Sequence, residues 1–245
     1  MAELRGQRVL VLGGSSGIGL ATARLAKDLG AEVTVTGRSE ARLAEAKAVL
    51  GEVNAWVGDI TREEDTARAF TRLGQVHHVF LAGGGAVFGN VVQLPQNELE
   101  RIVQERIWAV VYVARAAAAH MSGGSITLMS GALASRPAPG AAMKHAVLCA
   151  TEGLARGLAL ELAPLRVNAI APGYTHSPGF ESLLGDNPAA KVREMSTVLP
   201  LKRIGRVEEV GQAAIALMTN DFINGEVLHV DGAGRFVPPA LSFSK

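Results

Sequence analysis

The sequence predicts a doubly wound α/β fold of three layers around a seven-stranded parallel sheet. Short apolar, β-branched runs alternate with segments of helical periodicity along the whole chain, glycine clusters close several of those runs, and neither linker nor internal repeat breaks the rhythm. Residues 8–12 read as a buried strand, followed by a helix whose apolar positions Ile18, Ala21, Leu25 and Leu29 recur at helical spacing up to Gly30. Strands at 32–36, 54–57 and 79–81 then alternate with helices at 40–50 and 63–73. The second half predicts a long helix within 94–120 after Pro95, a strand at 125–129, and a helix around 144–162 carrying Val147, Thr151, Leu154, Leu158 and Leu162 on one face. A strand at 166–170, a helix at 208–218 and a strand at 226–230 complete the set. Between about 172 and 201 the prolines Pro178, Pro188 and Pro200 predict an irregular excursion at the sheet edge, with its substrate-loop part at about 174–200. Right-handed crossovers leave few other ways to connect such elements, and one domain over residues 1–245 is expected.

Composition narrows the functions. Of 245 residues, 24 are Lys or Arg and 23 are Asp or Glu, so the formal net charge is only +1 and no positive field exists to hold nucleic acid by bulk charge. A hydrophobic share of 48% excludes disorder as the main state. Charged residues make up 19%, a low share that suggests a covered surface and hence a homo-oligomer, dimer or tetramer. Small residues on two long helices, Ala109, Ala116, Ala117 and Ala118 on one and Ala150, Ala155 and Ala159 on the other, are the expected contact faces. The single cysteine, Cys149, is expected to be a buried small hydrophobe, and no cysteine or acidic cluster predicts a metal site. The longest apolar stretch, 107–121, is too short for a membrane span and is broken by Arg115 and His120. The N-terminus runs into a strand without a long apolar region, so a cytoplasmic protein is expected.

Gly13, Gly14, Gly17 and Gly19 stand with Ser15, Ser16 and Ile18 between the first strand and the first helix. A pyrophosphate needs close backbone approach and free N–H groups at a helix N-terminus, and this placement supplies both. An adenosine ribose with a free 2′-hydroxyl calls for an acid at the end of the second strand. Here that strand ends Thr36-Gly37-Arg38-Ser39, with Arg38 free to meet a 2′-phosphate, so NADP(H) is expected ahead of NAD(H).

With these residues in view, the chain resembles the short-chain dehydrogenase/reductase family in its classical branch, and the marks recur over almost its whole length. The glycine spacing is the family's. Gly58-Asp59-Ile60 is similar to its adenine-holding segment, Leu81-Ala82-Gly83-Gly84 occupies the place of its Asn-Asn-Ala-Gly motif, and residues 166–173, ending Pro172-Gly173, resemble its sixth-strand segment, with Ser177 where a Thr usually contacts the cofactor. Residues 201–206 and 223–232 resemble its C-terminal signatures. The resemblance implies a Rossmann-like fold, a nicotinamide cofactor and hydride transfer to or from a carbonyl, with a Tyr moving the proton, a Lys four residues later holding the ribose and tuning that Tyr, a Ser polarising the carbonyl and an Asn supporting a water relay.

The chain departs from that pattern at the chemistry. With Lys144 set on the family's Lys, the Tyr position falls on Gly140, the Asn position falls near Arg106, and the stretch after Ser130 is about four residues short. Lys144 and Ser130 remain candidates by position; Tyr174 and His176, just past Pro172-Gly173, are candidates for a substitute proton donor. Three readings stay open: an NADP(H)-dependent oxidoreductase with atypical proton transfer; a nucleotide-binding sensor, regulator or partner subunit without chemistry; and an enzyme of another reaction type.

Overall fold

Runs such as Val9-Leu10-Val11-Leu12 are apolar on both faces of the pleat, which is stable only where helices cover a sheet on both sides. A computed structural model of the chain describes residues 3–85 and 87–238. Strands β1 (Arg8–Leu12), β2 (Glu32–Gly37), β3 (Asn54–Val57), β4 (His78–Leu81), β5 (Ser125–Met129), β6 (Arg166–Pro172) and β7 (Val227–Val230) form one parallel sheet in the order β3-β2-β1-β4-β5-β6-β7. Helices α1 (Gly17–Asp28), α2 (Glu40–Leu50) and α9 (Val207–Thr219) cover one face; α3 (Glu63–Leu73), α5 (Ala109–His120) and α6 (Ala142–Glu161) cover the other. Leu10 and Leu12 enter the core with Phe70, Val110 and Ile126, while Val9 and Val11 enter the opposite core with Val35, Phe80 and Ile170. Each side chain of this size contributes about 1.5–3 kcal/mol on full burial. Strand order reverses between β1 and β4, where Leu12 lies beside Leu81, and this opens a crevice at the C-terminal strand ends.

The segment 166–168 with 223–226 is a stitch between β6 and β7. Asn168 donates Nδ2–H to Ile223 O (2.9 Å) and accepts from Glu226 N (2.9 Å), while Asn224 accepts from Val167 N (2.8 Å). Arg166 donates to Leu217 O (2.6 Å) and Met218 O (2.8 Å), which ties α9 to the same strand.

Four expectations are corrected. The excursion after β6 is partly helical: α7 (Pro178–Glu181) is a single turn, and α8 (Pro188–Val198) is a full helix. Asn187 caps α8 by accepting from Ala190 N (3.1 Å), so Pro188 starts a helix where its missing N–H costs nothing. Met195 and Leu199 pack on Leu184 and Ile204 as a separate small core. The helix within 94–120 is α4 (Gln96–Val103) and α5 joined by a π-helical turn, Gln104–Trp108. Cys149 is exposed, because the buried stripe of α6 runs through Lys144, Val147, Leu148, Thr151, Glu152, Ala155 and Ala159 and leaves it outside. The same phase spends Ala109, Ala116, Ala117, Ala155 and Ala159 on the chain's own core; Ala118 and Ala150 are the two of the set that face outward.

Candidate active site

The loop from β1 into α1 is shaped by close backbone approach. Gly13 has φ +90°, and a Cβ there would lie 2.6 Å from Gly83 N; one on Gly19 would lie 2.2 Å from Gly13 O. No larger residue fits either place. Ser16 precedes α1 in extended conformation and makes no side-chain cap, so the helix N-terminus presents its N–H groups toward the crevice. Ser177 caps α7 by accepting from Phe180 N (3.2 Å) and brings the loop after β6 against Gly17. Asp59 is pinned by Thr61, whose N–H (2.9 Å) and Oγ1–H (2.8 Å) both donate to Oδ1.

These pieces border a cleft of about 730 Å³, lined by Gly13, Ser15, Ser16, Gly17, Ile18 and Gly19; by Arg38, Ser39, Asp59 and Ile60; and by Ala82, Gly83, Gly84, Ser130, Lys144, Pro172, Gly173 and Ser177. The structure thus gathers the expected cofactor residues around one cleft. A smaller cavity of about 160 Å³ adjoins it, lined by Leu133, Arg136, Leu148, Tyr174, Leu183 and Leu199 among others. Ser130, Lys144 and Gly173 border both. The small-residue cradle, the open helix end and the exposed cation Arg38 fit a nicotinamide dinucleotide.

The reaction end is crowded with buried charge. Lys144 is 7% exposed and donates Nζ–H to Gly85 O (2.7 Å). Burial, and next to it the Arg106 guanidinium, hold its ammonium well below the usual lysine range. Arg106 is buried, donates to Met129 O (2.7 Å) and Gly84 O (3.3 Å), and clips the ends of β4 and β5 together; its Nε has no acceptor among the described residues. Burial lowers its pKa too, partly offset by Glu105. Glu105, 2% exposed, accepts from Gly85 N (2.5 Å) and lies 3.5 Å from Arg101 and 3.8 Å from Arg38. Ser130 Oγ–H donates to the buried Glu152 carboxylate (2.8 Å), whose other oxygen is 3.7 Å from Arg156.

The remaining candidates lie elsewhere. Tyr174 lines the smaller cavity alone, its ring tilted against Phe180 at 5.8 Å. His176 lines neither cavity; it is exposed, with Nδ1 3.4 Å from Glu181 Oε1, because the bridge of Thr175 to Gly205 turns the next side chain outward. Gly140 also lines neither: it sits in a turn before α6 with φ +73°, its carbonyl accepting from Gly89 N (2.7 Å). Sequence reading missed Arg42, Glu105, Glu152 and Arg136 as lining or supporting residues. A signal existed for two of them: Glu105 falls three residues after the buried Ile102, and Glu152 four after Leu148, so both are charges on an apolar stripe.

A family profile described as "Enoyl-(Acyl carrier protein) reductase" matches residues 13–233. "Short-chain dehydrogenase/reductase ATR9" of Stachybotrys chlorohalonatus is 32% identical over 97% of this chain and 100% of its own length. The chain belongs to the short-chain dehydrogenase/reductase family. Another member, "Short-chain dehydrogenase/reductase malC" of Malbranchea aurantiaca, is 29% identical over 92% of this chain and 93% of its own length. Its solved structure, titled as a reductase/Diels-Alderase, superposes with a TM-score of 0.87 at 28% identity, covering 94% of this chain and 96% of its own. The solved structure of BdcA in complex with NADPH gives a TM-score of 0.85 at 27% identity over 94% of each chain. Among the described residues, no helix is long and apolar enough to cross a membrane.

Proposed function

We propose that this chain is one dinucleotide-binding unit, an NADP(H)-dependent oxidoreductase that reduces a carbonyl or oxidises an alcohol on a small molecule. The observation that carries the reading is the junction of the two cavities: a cleft sized and lined for a dinucleotide opens at Ser130, Lys144 and Gly173 into a mostly apolar pocket of about 160 Å³. A substrate seated there lies over the end of the cleft where the nicotinamide belongs. The 2′-phosphate preference rests on Arg38, whose side chain is 64% exposed at the cleft rim, with Arg42 beside it and no acid at the end of β2. We place the protein in the cytoplasm as a homo-oligomer; the large exposed side chains Trp108, Leu160 and Phe222 are the surface in need of cover.

The test is spectroscopic. The protein with NADPH and a panel of small ketones and aldehydes is expected to consume dihydronicotinamide absorbance. A fluorescence shift of bound NADPH without loss of absorbance on any substrate would favour the second reading, a nucleotide-binding sensor or partner subunit. That reading draws its support from Ser130, whose hydroxyl proton is committed to Glu152.

A further inference from the structure

We propose that Lys144 is itself the proton donor of the reaction, taking the place at the cavity junction that a phenol holds in the family. The inference rests on the oxidoreductase reading above and names the group that completes it.

Position makes the first case. Among the described residues that border both cavities, Lys144 is the one ionisable side chain. A group that hands a proton to a carbonyl oxygen must reach the substrate pocket and the nicotinamide end together. The alternatives fail on geometry: Ser130 gives its proton to Glu152, Tyr174 reaches the smaller cavity alone, and His176 faces outward. An ammonium has three donors, and the bond to Gly85 O uses one, so two remain for the junction.

Register makes the second case. Lys144 stands at the third position of α6, and Leu148, one turn on, is buried and lines the substrate pocket. If Lys144 holds the proton donor's place, Leu148 holds that of the ribose lysine, and the four-residue shortening inferred after Ser130 disappears. The shift from Gly140 to Lys144 is those four residues.

The electrostatics agree. Burial is the largest influence pressing the Lys144 proton off, Arg106 and Arg101 act in the same direction, and Glu105 holds the proton on. Glu152 meets the junction through Ser130, and Arg136, Tyr174 and Asp231 line the same pocket. In the step, hydride from a reduced nicotinamide dinucleotide forms the new C–H bond at the carbonyl carbon. The carbonyl oxygen takes the Lys144 proton, and the Nζ–H bond breaks with its electron pair left on nitrogen. Alcohol, oxidised dinucleotide and neutral amine result, and water in the open cleft reprotonates the amine.

The test combines a labelling measurement on the cofactor-free protein with turnover. Acetylation of each lysine by acetic anhydride is followed against pH by mass spectrometry. The Lys144 midpoint is expected at least about one unit below that of surface Lys47 and Lys191. The basic limb of the reduction rate is expected at that same midpoint, since the donor must carry its proton. Lys144→Met should lose at least about 100-fold in kcat while NADPH affinity by calorimetry stays within about threefold. Lys144→Tyr should recover part of the rate with the basic limb moved upward. If the wild type turns over and Lys144→Met keeps its rate, or the labelling midpoint matches the surface lysines, the proposal falls and the oxidoreductase reading stands. If the wild type binds NADPH but reduces nothing and oxidises no alcohol, both fall together. A Lys144→Met variant that turns over normally once NADPH saturates it, but binds NADPH at least tenfold more weakly, would make Lys144 a ribose-holding residue instead.

Discussion

The two ends of the cleft are built from different materials. At the nucleotide end the wall is backbone: Gly13 packs on Gly83, Gly17 on Ser177 and Gly19 on Gly13, and the ligand-facing groups are N–H dipoles fixed by the start of α1. At the reaction end the wall is ionisable side chains, Lys144, Arg106 and Glu105, with Glu152 behind Ser130, all four within a tenth of full burial. A backbone wall tolerates no added atom but is indifferent to pH. A wall of buried charge accepts changes of residue type, yet Arg106 and Glu105 act on the protonation of Lys144.

The sharpest way to break this contrast is to put a methyl group into the backbone wall. Gly19→Ala places its Cβ 2.2 Å from Gly13 O. NADPH affinity is expected to fall by more than about 100-fold and stability by roughly 3 kcal/mol or more, since backbone and not a flexible side chain must yield. A calorimetric titration that finds near-native affinity would end the claim that this wall is rigid.

The next effect lies at the opposite end of β4, in the same sheet but away from the cleft. His78 is buried between Ser125 (2.8 Å) and Gln7 (2.5 Å). Burial, then the Arg166 charge, lower its pKa from 6.5 to about 4. The unfolded chain therefore binds a proton that the folded one refuses, and stability is lost as pH falls from about 6.5 toward 4, by up to roughly 3 kcal/mol. Urea midpoints between pH 4.5 and 7 should show this slope, and His78→Gln should flatten it. An equal slope in the variant would mean the titrating group is elsewhere.

Arg38→Ala tests the charged rim of the nucleotide end, where Arg42 also lies. The loss is expected in NADPH affinity alone, by about 1.5–3 kcal/mol, or roughly 10- to 150-fold, with NADH binding unmoved. Equal losses for both dinucleotides would contradict a 2′-phosphate contact. The smallest expected effect is that of Ser130→Ala, which leaves the Glu152 carboxylate without its hydroxyl partner and costs about 1–3 kcal/mol in stability. A variant as stable as the wild type would show that Arg156, or water, already satisfies Glu152.

The backbone end was the legible one. Strand-closing glycines are a constraint that only one residue type meets, so Gly13, Gly17 and Gly19 announce their geometry in the letters themselves, and the parallel sheet follows from runs apolar on both faces. The reaction end was not, because a buried charge and a solvated one have the same letter. Glu105 and Arg106 lie in a segment that reads as an ordinary amphipathic helix, and only the phase of α4 through α5 turns them inward. Cys149 and the alanines of α5 and α6 failed for the same reason: composition gives the stock of small residues but not which side of a helix they occupy. His176 was placed by proximity to Pro172-Gly173, and the bridge between Thr175 and Gly205, a contact about 30 residues apart in the chain, decided otherwise.

The π turn at Gln104–Trp108 has a consequence for how such a site can change by inheritance. A wider turn of this kind holds one residue more than regular α winding would, and it persists here where Glu105 and Arg106 meet the cleft. Loss of a single codon within it would restore regular winding while α4 and α5 kept their faces, because the widened turn absorbs its extra residue locally. The change would fall on the turn that carries Glu105 and Arg106 to the cleft, with no substitution anywhere. The ionic character of the reaction end is therefore written in the length of this helix as well as in its residues.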